Sequence, residues 1–217
     1  MISYSLVDSS KVALDAKLDE LFKNKTNGFF IELGAHDGLT QSNTAFFEFN
    51  RGWKGILIEP SISQFEKCVI NRPNSFCFNY ACVSNTYTES SVSGNFDGTL
   101  MASVDGTRNN PTHFSISVPA KTLSAIIDSI TPGVEVIDLL SLDTEGYELH
   151  ILQGLDLNKH RPRYMLIEVY TKDFDALVAF LKLNSYNLHS NFSNYNKQNS
   201  PIWDGSHNDY LFVDTTV

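Results

Sequence analysis

The sequence predicts an open α/β sandwich: a mostly parallel sheet with helices on both faces and an antiparallel hairpin at one edge. Three observations lead there. From Gly28 onward, short apolar runs alternate with segments of helical period in a βαβαβ order. The first run, Phe29-Phe30-Ile31-Glu32-Leu33-Gly34-Ala35-His36-Asp37-Gly38, carries an acid and two glycines just before a helix begins, where an open α/β sheet holds a nucleotide-like ligand. The last two apolar runs are joined by a loop without helical period, as in a hairpin.

Between Asp8 and Lys25, Val12, Leu14, Leu18, Leu21 and Phe22 recur at near-helical spacing, which predicts an amphipathic helix covering one end of the sheet, within an N-terminal cover over residues 1–27. Strand one is Gly28 to Leu33. A helix follows from about Ser42, its N-cap, to Arg51-Gly52, and strand two is Gly55-Ile56-Leu57-Ile58-Glu59. Pro60-Ser61 opens a helix that runs to Asn71, ahead of Pro73, and Phe76 to Val83 is strand three.

A polar stretch, Ser84 to Ser115, then interrupts the alternation and ends in an extended piece, Ser115 to Val118; loops of that length are uncommon and often functional. Thr122 caps a helix from Leu123 to Ile130, which Pro132-Gly133 ends. Strand four is Val136 to Leu142 and strand five Tyr164 to Val169, with a short helix, Gly146 to Leu155, between them. A helix from Asp173 to Asn184, a strand from Tyr186 to Ser190, an Asn/Ser-rich loop and the strand Tyr210 to Val213 complete the chain. No repeat or linker divides it, so residues 1–217 read as one domain, with 84–121 and 191–207 as loops on the acceptor side.

The composition agrees: 217 residues, 42% apolar and 19% charged, suffice for one sizeable core and not for two ordinary enzyme domains. A net charge of -9 without clustered Lys or Arg excludes a long phosphate-tracking surface, hence a nucleic-acid partner, while an acidic site suits a cationic cofactor. Cys68, Cys77 and Cys82 are odd in number and at no metal-ligand spacing, so they read as reduced thiols. With no basic start followed by an apolar run and no bilayer-length apolar stretch, the chain reads as cytoplasmic and without a membrane partner.

Four strands end in acids: Glu32 to Asp37, Glu59, Asp143 with Glu145, and Glu168. In a parallel sheet these meet at the carboxyl-end crevice where ligands bind. Glu59 lies roughly twenty residues past the glycine loop, where an acid holds adenosine ribose hydroxyls. That spacing also suits a nicotinamide dinucleotide, but His36 stands where the dinucleotide fingerprint needs glycine. The Glu-x-Gly-x-x-x-Gly pattern fits a ligand with a sulfonium and an amino-acid tail, as in S-adenosylmethionine.

These residues carry a family resemblance. The chain resembles the FkbM-type S-adenosylmethionine-dependent O-methyltransferases in Ile31-Glu32-Leu33-Gly34-Ala35-His36-Asp37-Gly38, Ser42-Asn43-Thr44, Gly52-Trp53-Lys54-Gly55 and Ile58-Glu59-Pro60. It is similar also in Ala81-Cys82-Val83-Ser84, Leu140-Ser141-Leu142-Asp143-Thr144-Glu145-Gly146-Tyr147-Glu148 and Leu166-Ile167-Glu168, and departs from the pattern at Ser141, where many relatives carry lysine. The resemblance implies a Rossmann-like class I methyltransferase fold, seven-stranded with one reversed edge strand, and methylation of a hydroxyl on a sugar, glycan or small polyol-like acceptor. It implies that Glu32, Gly34, Ala35 and Gly38 line the methionine part of the cofactor, with His36, Asp37, Ser42, Asn43 and Asp143 near it. Glu59, followed by Pro60, then holds the ribose, and Ala81 and Cys82 approach the adenine. The chain could serve alone, as a homodimer through its N-terminal helix, or inside a larger glycan-modifying enzyme.

Methyl transfer is an in-line displacement helped by alignment, and an aliphatic hydroxyl further needs a base or a divalent cation. Asp143, Glu145 and Glu168 suit either role: converging, they would hold Mg²⁺ or Mn²⁺; otherwise one is the base. His113 and His207, in the two long loops, are further candidates for proton removal. Glu148 reads as a helix-face contact, and His150, His160 and His189 as ordinary surface or helix positions. Phe96, Met101, Phe114, Phe192, Tyr195 and Trp203 either form an aromatic acceptor surface or seal the end of the domain, while Trp53 packs between helix and strand. Two other readings are a nicotinamide-dependent oxidoreductase, against which stand His36 and the lack of a Tyr-x-x-x-Lys element, and a non-catalytic nucleoside- or glycan-binding module on the same scaffold.

Overall fold

A computed structural model of the chain describes residues 2–100, 104, 115–130 and 133–216. In chain order its elements are α1 (Leu14–Leu21), β1 (Phe29–Leu33), α2 (Ala45–Arg51), β2 (Lys54–Ile58), α3 (Ile62–Asn71), β3 (Phe76–Phe78), β4 (Ala81–Cys82), β5 (Ser91–Gly94) and β6 (Ile116–Lys121). There follow α4 (Leu123–Asp128), β7 (Ile137–Leu142), α5 (Glu148–Leu152), β8 (Pro162–Tyr170), α6 (Phe174–Leu183), β9 (Tyr186–Asn191) and β10 (His207–Asp214).

Seven strands form one sheet in the order β3-β2-β1-β7-β8-β10-β9. The pairs β1/β2, β2/β3, β1/β7 and β7/β8 are parallel, and β10 is antiparallel to both of its neighbours. The reversed strand therefore lies one place in from the edge, and β9 is the edge itself. Side chains alternate across β1: Ile31 and Leu33 join Ile56, Leu140, Ile167 and the helices α4 to α6 on one face, whereas Phe30 joins Leu18, Phe46, Phe47 and Cys68 from α1 to α3 on the other. Trp53 is buried in this second layer and donates its Nε1–H to Lys25 O at 2.8 Å.

Three sequence expectations need correction. The N-terminal helix is confined to Leu14–Leu21 and lies on a face of the sheet, not at its end; residues before it form a strap turned by Asp8, whose Oδ1 accepts from Ser10 N and Val12 N. The expected third strand, Phe76 to Val83, breaks after Phe78. There Asn79 Nδ2 donates to Glu59 O and Pro60 O, each at 2.8 Å, and the chain leaves the main sheet. The polar stretch after Ser84 contains β5, which pairs antiparallel with β6, while β4 pairs parallel with β6, so a three-stranded sheet in the order β4-β6-β5 stands beside the main one. Its burial is thin: in β5 only Val92 and Gly94 turn inward, so the apolar signal was too weak to read as a strand.

The punctuation of the other elements follows the sequence. Gly52 ends α2 with φ 66°, and Thr122 Oγ1 caps α4 by accepting from Ala125 N at 3.3 Å. The three cysteines are free, with the sulfurs of Cys68 and Cys77 3.8 Å apart. Among the described residues no helix is long and apolar enough to cross a membrane.

Candidate active site

A cavity of about 260 Å³ opens at the carboxyl edge of the sheet. The ends of β1 and β2 supply Leu33, Gly34, Ile58, Glu59 and Pro60; the chain around β4 supplies Tyr80, Ala81 and Cys82; the turn after β7, with β8 and β10, supplies Asp143, Thr144, Glu145, Glu168 and His207. Leu6 of the N-terminal strap, Phe96, Leu100, Val104 and Tyr147 add apolar wall. One end of the cavity is thus apolar beside a single acid, and the other is densely acidic.

Between these ends runs the glycine loop. Gly34 has φ 77°, and a Cβ there would lie 1.9 Å from Asp143 O, so only glycine allows the ends of β1 and β7 to touch. His36 also has a left-handed φ, 48°, and its amide N–H donates to Glu59 Oε2 at 2.8 Å. Ser61 N–H donates to the other oxygen of Glu59, also at 2.8 Å. Burial pushes the Glu59 carboxyl up, and these two amides and the neighbouring His36 oppose the shift.

Glu32 is placed differently. On β1 it shares the face of Phe30, beneath α2 and α3, and its carboxylate accepts from Ser42 Oγ at 2.8 Å, Asn43 N at 2.8 Å and Thr44 Oγ1 at 2.6 Å. Arg72, fully buried, lies 3.7 Å from the same carboxylate and binds Glu48 Oε2 at 2.8 Å, Gly38 O at 2.8 Å and Thr44 Oγ1 at 3.0 Å. Gly38, Ser42, Asn43 and Thr44 are therefore held from behind by a buried ionic hub. Asp37 accepts from Leu39 N and Thr40 N at 2.9 and 2.7 Å, which closes the turn into α2 and holds its carboxyl below the usual range against the opposing effect of burial.

At the acidic end, donor oxygens of Asp143, Glu145 and Glu168 lie within 4.8 Å of one another. Glu145 has φ 60° and Gly146 φ 101°, a turn fixed by Glu148, whose Oε1 accepts from Thr144 N, Thr144 Oγ1 and Gly146 N at 2.9, 3.0 and 3.1 Å. Tyr170 donates its hydroxyl to Glu145 Oε2 at 2.5 Å, and His207 Nε2 lies 3.3 Å from Glu168 Oε1. Burial pushes both Asp143 and Glu168 well above the carboxylate range; for Asp143 the Glu145 charge adds to this, and for Glu168 the charge of Asp143 does. Asp209, paired with Glu168 across β8 and β10, is pushed up to about 6 by burial.

Of the residues picked out in the sequence, Gly34, His36, Glu59, Pro60, Ala81, Cys82, Asp143, Glu145 and Glu168 line this cavity. Glu32, Ala35, Asp37, Gly38, Ser42 and Asn43 do not; they form the loop and its support. Asn43 Nδ2 donates to Ser141 Oγ at 3.0 Å. His113, Met101 and Phe114 lie outside the described residues. His207 begins a strand and is not a loop residue; Phe96 lines the cavity, while Phe192 is buried in the second core beneath Lys17. Tyr195 stands edge-on to His207, and Trp203 Nε1 donates to His207 O at 2.8 Å. His160, expected at an ordinary surface or helix position, is buried against Asp128 at 2.8 Å, and His150 stacks on Tyr147 with centroids 4.5 Å apart.

Sequence reasoning missed Arg72, Glu48 and Tyr170. Arg72 sits at a helix end before Pro73, where a basic residue reads as an ordinary dipole partner, and Glu48 hides in the aromatic run of α2. The available signal was an acid embedded among Phe46, Phe47 and Phe49, which needs a buried cation.

The model of a protein family described as the methyltransferase FkbM domain matches residues 32–188. No curated protein matches the chain. Among solved structures the chain is similar to the methyltransferase domain of bacterial CtHen1-C, at 9% identity and a TM-score of 0.50, covering 93% of this chain and 96% of that one. It is similar also to Aeropyrum pernix fibrillarin, solved with natively bound S-adenosyl-L-methionine, at 13% identity, TM-score 0.49, and coverage of 87% and 67%. A third is the precorrin-6y C5,15-methyltransferase from Geobacter metallireducens, at 8% identity, TM-score 0.49, and coverage of 92% and 88%. At 9% identity the likeness to the CtHen1-C domain is one of fold.

Proposed function

Because the chain belongs to the FkbM methyltransferase family, we propose that it transfers a methyl group from S-adenosylmethionine to a hydroxyl of a sugar, glycan or other polyol-like acceptor. The observation that carries this reading is the polarity of the cavity: one acid, Glu59, in an apolar end, and three acids, Asp143, Glu145 and Glu168, at the other, with Gly34 between.

The residues fit the cofactor. Each Glu59 oxygen accepts one amide, and a carboxylate has about four lone-pair sites, so acceptors remain for two ribose hydroxyls. Ile58, Ala81, Cys82 and Ile151 offer apolar surface for a purine, and the bare backbone of Gly34 allows close approach of the amino-acid tail. S-adenosylmethionine, when bound, supplies an electrophilic methyl on a cationic sulfur, and the acidic lining suits that charge.

The chain's own residues then do three things. Glu59 and the glycine loop would hold the cofactor in one orientation, toward the acidic end where an acceptor hydroxyl would be presented. Tyr147, Phe96 and Leu6 exclude water from the wall and offer apolar contact to sugar C–H faces. A carboxylate of the cluster would take the acceptor's hydroxyl proton as the methyl is transferred, Asp143 being the member on the cavity wall beside Gly34.

The test is calorimetry of the chain with S-adenosylmethionine and, separately, with NAD, followed by incubation with a panel of sugars and polyols and mass analysis for a methyl increment. Binding of S-adenosylmethionine and one methylated product support the reading. Binding of NAD alone favours an oxidoreductase, and binding of neither favours a non-catalytic module.

A further inference from the structure

We propose that Cys68 and Cys77 form an oxidation site, a dithiol that closes reversibly to a disulfide on reaction with hydrogen peroxide. The pair lies outside the cavity and stands independently of the methyl-transfer reading. Its geometry comes first: Cys68 on α3 and Cys77 on β3 place their sulfurs 3.8 Å apart, and both thiols are free. A disulfide needs about 2 Å between the sulfurs, and a rotation at one side chain closes a gap of that size. Cys82 is kept apart from both, buried in the core layer on the other face of the sheet.

The second observation is the unequal setting of the two thiols. Cys68 is 1% exposed, whereas Cys77 is half-buried on a three-residue strand at the edge of the sheet. A peroxide therefore meets Cys77 first, with Cys68 behind it. The hydrogen bond to Cys68 holds the Cys77 thiol below its ordinary value against the opposing effect of burial, and the charge of the buried Arg72 adds to this. Access and thiolate character thus fall on the same sulfur.

The reaction balances with one molecule of peroxide. The Cys77 thiolate attacks a peroxide oxygen: the S–O bond forms, the O–O bond breaks, and the leaving hydroxide takes up the proton that Cys77 gave up and departs as water. The Cys68 sulfur then attacks the Cys77 sulfenic acid: the S–S bond forms, the S–O bond breaks, and the second oxygen leaves as water with the Cys68 proton. Each sulfur loses one electron and the peroxide gains two. The new bond ties α3 to the edge strand where the glycine loop rests on it. A Cβ on Gly38 would lie 3.1 Å from Cys68 Sγ, and Arg72 N–H donates to Cys68 O at 2.9 Å. Oxidation therefore acts beside the loop after β1 and its buried ionic hub.

The experiment exposes the full chain, first reduced and freed of reductant, to a small molar excess of hydrogen peroxide under native conditions, and maps its peptides by mass spectrometry without reduction. The expected result is the loss of two hydrogens from the chain and a peptide linked through Cys68 and Cys77, both reversed by dithiothreitol. Cys68→Ser should lose the link and leave at Cys77 a sulfenic acid that dimedone traps, whereas Cys77→Ser should lose both the link and the trapped adduct. Circular dichroism reports whether each variant is folded, and the wild-type measurement decides the matter if neither is. A wild-type chain without the linked peptide, a link made through Cys82, or a dimedone adduct at Cys68 in place of Cys77 overturns the site and leaves the two sulfurs as packing in the second core layer.

Discussion

Gly34 packs directly on the carbonyl oxygen of Asp143, so closely that a single added Cβ would come within 1.9 Å of it. The glycine loop and the acidic turn therefore meet at one backbone contact, and a change at either side is felt at the other.

Gly34→Ala tests that contact. The left-handed φ alone costs a non-glycine residue about 1–2 kcal/mol, and the steric overlap adds to it. The expected outcome is a lowered melting temperature together with at least about tenfold weaker S-adenosylmethionine binding, read by calorimetry on whatever fraction stays folded. A variant with wild-type affinity would show that β1 and β7 can part without cost to the site.

Glu59→Ala removes the carboxylate proposed to accept from the ribose and the anchor for the amides of His36 and Ser61. Cofactor affinity should fall by about 1.5–3 kcal/mol, the worth of hydrogen bonds to a charged group. Because burial raises the Glu59 carboxyl, wild-type affinity should weaken as pH falls through that raised value, while Glu59→Gln should show a flat profile. Identical pH profiles would remove Glu59 from the site.

Asp143→Asn keeps the shape of the turn and removes the carboxyl that can take up a proton. Turnover should drop by at least about a hundredfold, the scale of a lost acid–base group, with a much smaller change in S-adenosylmethionine affinity. Full activity in a folded variant would refute the role given to Asp143.

How much of this was legible beforehand depended on what kind of signal each part left. The parallel strands of the main sheet carried strong apolar runs bounded by Gly, Pro and Asn and were found, although the third was read through to Val83 where β3 ends at Phe78. β5 was missed because Ser91-Val92-Ser93-Gly94 buries one apolar side chain, too little for a periodicity to register. At the site, Glu59, Asp143, Glu145 and Glu168 could be read as strand-end acids sharing one sheet edge. Glu32 was read the same way but lies before the last residue of β1, so alternation turns its side chain under the helices, toward Arg72. The partner that claims it is far along the chain, and no local pattern announces such a pair.

Asp209 gives a stability test with a definite sign. Its folded value is about 6 against an ordinary 3.8, so the native state holds the proton more tightly than the unfolded one. The stability this provides is complete below the unfolded value and is lost as pH rises through the folded one. Asp209→Asn, which cannot ionise, should therefore be more stable than wild type at about pH 8 by on the order of 3 kcal/mol, and the advantage should vanish by about pH 3. Chemical denaturation at several pH values reads it; an advantage that grows on acidification would contradict the assignment.

Arg72→Leu would leave Glu32 and Glu48 buried without their cation. Removing one partner from a buried ionic network costs about 3–5 kcal/mol, so the variant should unfold at markedly lower denaturant or fail to accumulate as folded protein. A stability loss below about 1 kcal/mol would mean that water reaches the network.

The Arg72 hub also has a history within the life of each molecule. Its bonds to Glu48, Gly38, Ser42 and Thr44 span only 24 to 34 positions of chain, all inside the first βαβα segment. The acidic end draws instead on His207 at the start of β10, a strand that must slide between β8 and β9 after both have been synthesised. The loop after β1 can therefore settle early, from near neighbours, while the acidic end of the cavity waits for the last strand to arrive.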